Sequence, residues 1–400
     1  MKILCVFLSK ALLFVFMAGF LQGCSDLMPV DDISIILAMG IDELDNRQIL
    51  VSVQIVNPKS ASPSEGQGGG KQSFTVYSAS GKTIEQTLEK INERLPRQIF
   101  LAHNSVVIFG HTYAKHGINR AFEYLERNRD IRRNELLVVT NGRAVDVLRA
   151  PSQGNIINAF AIQSLVQHGA ETSVTVNSTQ QTVMKQYLSP SHSPLLARVN
   201  VGPNGHLQED GLGLFDGGRL VDCLSTEDAY ALLLFIGNTR QHPIALPGDV
   251  QKVGNRLTMR ILTSQTNVKP VVRGKEIGIK VQVWGQTEIE QMRLGSKATP
   301  DFYRLSESET QHELKKKMIH ALYEIQQHHV DAAQFGNAFF RADPPLWRRV
   351  AHRWNETLPH LFVDVDVKVH VYRSGLIGDS PDEEYTREGY SPRGGRDVTS

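Results

Sequence analysis

Leu21-Gln22-Gly23-Cys24 is the stretch of this sequence with the plainest chemistry. It is a lipobox-like tetrad. The thiol of Cys24 is placed to form a thioether with a diacylglyceryl group, and small Gly23 lets a signal peptidase reach the backbone. Lys2 and Lys10 supply the positive end of a signal segment. Ala11–Leu21 is an apolar run of 11 residues, too short to cross a bilayer of ~30 Å as a helix. The competing reading, an ordinary secretory signal followed by an unrelated cysteine, leaves a reactive thiol at the mouth of an exported protein. With cleavage between Gly23 and Cys24, lipidation at Cys24 makes that residue the first of the mature chain. Two acyl chains of about fifteen methylenes each, at ~0.8 kcal/mol per buried methylene, anchor on the order of 20 kcal/mol. Cys5 leaves with the signal, so Cys223 has no intramolecular disulfide partner and reads as a small buried apolar residue.

The remaining constellations fail on spacing. Gly66-Gln67-Gly68-Gly69-Gly70-Lys71 lacks the glycine five residues before Gly70, and Gln72 stands where a phosphate loop needs Ser or Thr for magnesium. It reads as a flexible loop. His312-Glu313 begins a zinc-protease motif, but Lys316 occupies the second histidine position. His312, His320 and His328 recur at intervals of eight, which turns each about 80° from the last on a helix, so they read as solvated surface residues. No Gly-x-Ser-x-Gly elbow occurs. Asp364 and Asp366 lie on one face of a strand about 7 Å apart, a separation usable for glycoside hydrolysis. The alternate valines mark the core side, however, and make the pair a solvent row. Lys315-Lys316-Lys317 reads as a solvated helix face. Trp347 and Trp354 read as core anchors rather than a sugar platform. The sequence therefore predicts no catalytic residue, no cofactor and no metal site.

The elements that carry these residues are those of an ordinary globular chain. It has 400 residues, 41% of them hydrophobic and 21% charged, which excludes a disordered chain, a fibre and a multi-span membrane protein. Basic residues number 43 against 42 acidic, so there is no cationic excess for a nucleic-acid partner. Loss of Lys2 and Lys10 with the signal changes the net charge from +1 to −1.

Strands are predicted at 33–41 and 48–56, joined as a hairpin, then at 73–80, 105–109 and 135–140. Helices are predicted at 83–95, 114–127, 143–149 and 155–168. A second stretch holds helices at 179–188 and 225–236 and strands at 196–201, 211–215 and 220–223. Ser225 and Asp228 resemble an N-terminal cap of the second of those helices. A third stretch holds strands at 257–262, 277–284 and 362–371 with helices at 309–329 and 346–356. The fold class expected is α+β, about three consecutive mixed α/β domains with predominantly antiparallel sheets. The divisions expected are 1–23 signal, 24–170 N-terminal domain, 171–257 middle domain, 258–373 C-terminal domain and a disordered tail at 374–400.

Several stretches resemble one known family. They run from Gly23-Cys24 through Asp31-Asp32-Ile33 and Ile36-Leu37-Ala38-Met39-Gly40-Ile41-Asp42 to Leu50-Val51-Ser52-Val53-Gln54-Ile55-Val56-Asn57-Pro58. Farther on come Gly211-Leu212-Gly213-Leu214-Phe215, Arg219-Leu220-Val221, Asp331, Phe335-Gly336, Pro345-Leu346-Trp347, Trp354 and Val365–Val371 with Gly375. In this order they resemble the Ger(x)C lipoproteins, the C subunits of bacterial spore germinant receptors. Ser25 stands where the family usually carries Trp, and the tail beyond Gly378 is longer than the family's.

The resemblance implies a non-enzymatic, lipid-anchored body on the outer face of the spore inner membrane. It also implies membrane A and B subunits as partners in a receptor for nutrients; it does not imply that this subunit holds the nutrient. The alternative is a lipid-anchored extracytoplasmic solute-binding protein, which needs two similar lobes of alternating strands and helices. An exported hydrolase is disfavoured by the failed motifs.

Overall fold

Ile33–Glu43 (β1) is apolar at most positions because both its faces are covered, as in the middle of a sheet rather than at a solvated face. It turns back into Ile49–Val56 (β2), and Phe74–Gly81 (β3) continues the antiparallel meander, as predicted. The chain then changes direction. Gln98–Phe100 (β4) and Val106–Phe109 (β5) both pair parallel to β1. Leu136–Val139 (β6) pairs parallel to β5, and Leu195–Val201 (β7) parallel to β6. Leu207–Asp216 (β8) and Arg219–Leu224 (β9) finish the sheet antiparallel. The resulting order is β3-β2-β1-β5-β6-β7-β8-β9, with β4 on β1.

The computed structural model describes residues 29, 32–57, 74–151, 157–237, 239–246, 257–274, 276–292 and 297–373. Gly23, Cys24, the glycine-rich loop at 66–71 and the tail from 374 lie outside the described residues.

Helices cover both faces of the large sheet. Ile84–Asn92 (α1) starts where Thr83 Oγ1 accepts from Gln86 N at 3.1 Å. His111–His116 (α2) and Asn119–Arg127 (α3) stand where one helix was predicted. Gly117, at φ 124°, takes a backbone conformation that a helix cannot continue through. Ala144–Arg149 (α4), Asn158–Glu171 (α5) and Gln180–Tyr187 (α6) follow. The strand period of two divides β5 between two cores: Val107 and Phe109 pack with α1 and α3, Val106 and Ile108 with α4 and α5.

Thr226–Ile236 (α7) begins at Ser225, whose Oγ accepts from Asp228 N at 3.2 Å, the predicted cap. Its residues Ala229–Phe235 are all buried. Beyond it, Arg240–Leu246 (β10), Leu257–Arg273 (β11), Glu276–Gln291 (β12) and Phe362–Arg373 (β13) form a four-stranded sheet, with β13 parallel to β12. Between β12 and β13 come Pro300–Gln327 (α8), Phe335–Ala342 (α9), Pro344–Val350 (α10) and Trp354–Thr357 (α11). β10 is unpredicted because Pro243 argues against a strand, and only an edge position tolerates it. β11 and β12 run past their predicted ends because pairing between them, rather than hydrophobic alternation, holds residues 263–273 extended.

The architecture mixes helices with mixed sheets, the α+β class expected. The central run β1-β5-β6-β7 is nevertheless parallel, because helical crossovers rather than turns join its strands. Hydrogen bonding also crosses the expected division at 170/171, since Val138 of β6 pairs with Ala197 of β7. Residues 171–194 supply only α6 and loops, so β7, β8 and β9 complete the existing sheet. Leu212, Leu214 and Leu224 then share one core with α7 and the four-stranded sheet.

Candidate functional site

The motif residues nearest the C-terminus assemble around one carboxylate. Asp331 is fully buried between α8 and α9. Its Oδ1 accepts from Phe335 N at 2.8 Å, and its Oδ2 accepts from Gly336 N at 2.6 Å and Trp354 Nε1 at 3.0 Å. The Ser191 hydroxyl also donates to it. Burial pushes its pKa up to about 6, against the four donors, which favour the ionised form. A Cβ at position 336 would lie 2.9 Å from Trp347 Cη2, 3.0 Å from Asp331 Oδ2 and 3.2 Å from Ser191 Oγ, so this corner has no room for one. Trp347 and Trp354 are both buried with ring centroids 5.0 Å apart at 65°, as core anchors. Ser191 N also donates to Asn337 Oδ1 at 3.2 Å, tying the lead-in of β7 to α9.

A second carboxylate does similar work at the C-terminal end of β1. Asp42 Oδ1 and Oδ2 accept from Ala144 N and Val145 N at 2.7 and 3.0 Å, capping α4 from across the sheet. Burial raises its pKa, and the two backbone donors oppose that rise. Gly110 leaves the space for it, since a Cβ there would collide with Asp42 Oδ1. A third, Glu135, is 1% exposed just before β6. Asn104 Nδ2 donates to its Oε2 at 2.6 Å, while its Oε1 and Asn104 Oδ1 are buried without partners. Burial pushes Glu135 up to about 7. A protonated carboxyl facing an amide can fill both vacancies, donating to the amide oxygen while accepting from its nitrogen. Glu135 was missed at the sequence level, and Asp42 was named there only within a family-like stretch, without its role. The available signal was an acid at the end, or just before the start, of an apolar run.

The remaining nominated residues lie apart. Asp364 is exposed and Asp366 half-buried on the open face of β13, opposite buried Val365, Val367 and Val369. His312, Lys315 and Lys316 are exposed on α8. His320 is exposed, as expected, and His328 half-buried, and both reach carboxylates of the preceding segment: His320 Nδ1 lies 3.3 Å from Asp228 Oδ1 and His328 Nε2 lies 3.0 Å from Asp222 Oδ2. Lys317 Nζ completes that row, 2.7 Å from Glu227 Oε2. Asp222, Glu324 and His328 bring ligand-type atoms within 4.8 Å of one another. All three are partly exposed, and the contact of His328 with Asp222 joins β9 to the end of α8. Cys223 is half-buried against the core and burial raises its thiol pKa, which keeps it protonated and unreactive. One depression, about 430 Å³, lies beside β2 and α2 and is lined by Glu43, Arg47, Tyr113, His116, Arg120 and Arg219. Its guanidiniums suit an anion, and its one carboxylate, Glu43, already contacts His116 Nδ1 at 2.8 Å. Among the described residues, no helix is long and apolar enough to cross a membrane.

Two family models match consecutive parts of the chain: "Spore germination protein N-terminal domain" over residues 26–201 and "Spore germination B3/ GerAC like, C-terminal" over residues 210–375. The chain belongs to the Ger(x)C family of spore germination proteins. Similar Ger(x)C proteins include Spore germination protein KC of Bacillus subtilis, 24% identical over 89% of this chain and 93% of the relative. Spore germination protein B3 of the same organism is 22% identical over 92% and 99% of the two chains. GerQC of Bacillus cereus is also 22% identical over 92% and 99%. The crystal structure of the GerBC protein superposes with a TM-score of 0.56 at 16% identity, covering 84% of this chain and 96% of that one. That likeness establishes a shared fold. The junction between the two family domains, near 201–210, falls between strands β7 and β8, which are hydrogen-bonded neighbours in the large sheet. In this Ger(x)C chain both family domains therefore contribute to one sheet.

Proposed function

We propose that this Ger(x)C protein is the lipid-anchored C subunit of a spore germinant receptor and works by assembly rather than catalysis. The mature chain begins at Cys24, whose sulfur carries the diacylglyceryl group, and the folded body stands on the outer face of the spore inner membrane. Membrane A and B subunits are its partners. The observation that carries this reading is the consecutive match of both family domains across residues 26–375, together with relatives matched over nearly their whole length. The position of Cys24 just ahead of that match supports the anchor. The open polar face of β13, which carries Asp364, Asp366 and Lys368, supports a subunit that works through contact with partners.

The test is palmitate labelling and co-purification in sporulating cells. Wild-type protein is expected to incorporate palmitate and to co-purify with the A and B subunits, and Cys24→Ala to lose the label and leave the membrane fraction. Label persisting in Cys24→Ala would remove the anchor. Failure of intact protein to co-purify with either subunit would remove the assembly. Calorimetric titration with nutrient amino acids and sugars addresses the alternative, solute-binding reading, since tight saturable binding by the isolated protein would favour it.

A further inference from the structure

Strands β1, β4, β5 and β6 run parallel, so the segments that lead into them arrive at the same end of the large sheet. Asp32 enters β1 there. Ser34 Oγ donates to Arg97 O at 3.3 Å, which fixes Arg97 beside the first residues of β1. The lead-in to β6 at the same end reads Arg127-Asn128-Arg129-Asp130-Ile131-Arg132-Arg133-Asn134, four guanidiniums against one carboxylate. The loop is built rather than loose. Ile131 is buried, Asp130 N donates to Asn128 Oδ1 at 2.9 Å, and Gln181 N donates to Arg133 O at 3.0 Å.

All four arginines are exposed. Arg127 pairs with Glu123 at 3.0 Å and Arg133 with Glu126 at 2.6 Å. Among the described residues, Arg129 and Arg132 have no ion-pair partner within 4.0 Å. The carboxylates exposed at this end are Asp32, Glu93 and Asp130 near β1 and α1, Glu89 of α1 in the same depression as Asn128 and Asp130, Glu123 of α3, and Asp216 in the turn after β8. They are spread over separate segments, whereas the arginines are concentrated in one.

The chain outside the described residues supplies the second argument. Eight residues lie between Cys24 and Ile33, so the reach from one to the other is at most about 30 Å even if fully extended. A lipid on Cys24 therefore brings this end of the sheet, rather than the opposite one, to the bilayer surface. Guanidinium groups pair with phosphate bidentately and give up water more readily than ammonium groups.

We propose that the arginine loop 127–134, with Arg97 beside it, docks on the anionic phospholipid headgroups of the membrane that holds the anchor. The inference rests on acylation of Cys24 for its geometry. It adds that the body is seated with the start of β1 toward the lipid, leaving the opposite sheet end and the four-stranded sheet to face protein partners.

The test reconstitutes the full chain, purified from membranes, into vesicles of phosphatidylcholine alone or mixed with phosphatidylglycerol, and follows amide hydrogen exchange. Exchange over 128–134 is expected to slow about fivefold or more on the mixed vesicles, to recover in high salt, and to keep the unbound rate on phosphatidylcholine. Residues 280–286, on the four-stranded sheet, are expected to be unchanged in both. Equal exchange on the two vesicle types overturns the proposal. Arg129→Gln with Arg132→Gln, both at exposed positions, is expected to keep the native melting temperature and the anchor while losing the headgroup-dependent protection; protection that survives in this variant also overturns it. The intact mass of the peptide carrying Cys24 reads the anchor separately. An acylated chain without headgroup-dependent protection removes the docking and leaves the anchor. An unacylated chain that still gains protection on phosphatidylglycerol removes the anchor and supports the docking.

Discussion

At the scale of single residues, the buried carboxylates show what the motif positions are for. Asp331 satisfies two backbone amides, one indole and one hydroxyl from three separate segments, so its removal strands donors that water cannot reach. Asp331→Ala is expected to destabilise the protein by ~3–5 kcal/mol in denaturant unfolding, as for the loss of one partner of a buried network. A change within about 0.5 kcal/mol would mean that the network is not formed. Glu135 makes a pH prediction. Its pKa rises from the ordinary glutamate value of 4.5 to about 7 in the fold, so the folded state holds a proton that the unfolded chain releases between those values. Stability from this group is therefore present below about 4.5 and declines as pH rises to about 7, by up to ~3 kcal/mol at 1.36 kcal/mol per unit. Glu135→Gln keeps the amide–amide geometry without a titrating proton. It is expected to flatten the fall in unfolding free energy between pH 5 and pH 7.5, and an identical slope in both proteins would remove the assignment. Trp347, Trp354, Asp331 and Gly336 were legible as family positions. What they do was not legible, because the Asp331–Trp354 bond spans 23 residues with no periodic signature.

At the scale of elements, β13 is the strand that sequence patterning marks most clearly, and its outer edge is the one that needs protection. α8 provides it. Gln311 Nε2 donates to Val369 O at 3.3 Å and Glu307 Oε1 accepts from Val371 N at 2.8 Å, so two helix side chains occupy backbone groups that another strand would seek. Glu307→Ala with Gln311→Ala is expected to cost only about 1–2 kcal/mol, the sum of two exposed-edge hydrogen bonds. It is also expected to produce concentration-dependent self-association by light scattering. A strictly monodisperse double variant would show that bulk, not these bonds, blocks the edge. Helix starts were read well wherever a side chain caps them, as Ser225 does for α7 and Thr83 for α1, because the cap bond spans three residues. The break at Gly117 and the strand β10 were read poorly, because a positive φ and an edge position are properties of the folded surroundings.

At the scale of the whole molecule, α7 joins the two sheets: Ala229–Phe235 is buried on every side, and its neighbours come from β8, β11 and α8. The stretch 171–257, excised alone, is expected to show no cooperative melting by circular dichroism, because β7 lacks β6 and α7 lacks α8. Cooperative melting of that fragment would support the separate middle domain expected at 171–257. The sequence by itself determined the strand and helix periods, the apolar core positions and the family, since all of these are local patterns or ordered short matches. The tertiary structure alone decided that the central strands run parallel, that hydrogen bonds cross position 170, and that Asp42, Glu135 and Asp331 are buried under their partners. Those outcomes depend on which strand finds which neighbour, a choice made by contacts between residues far apart in the chain, and periodicity within a segment carries no record of it.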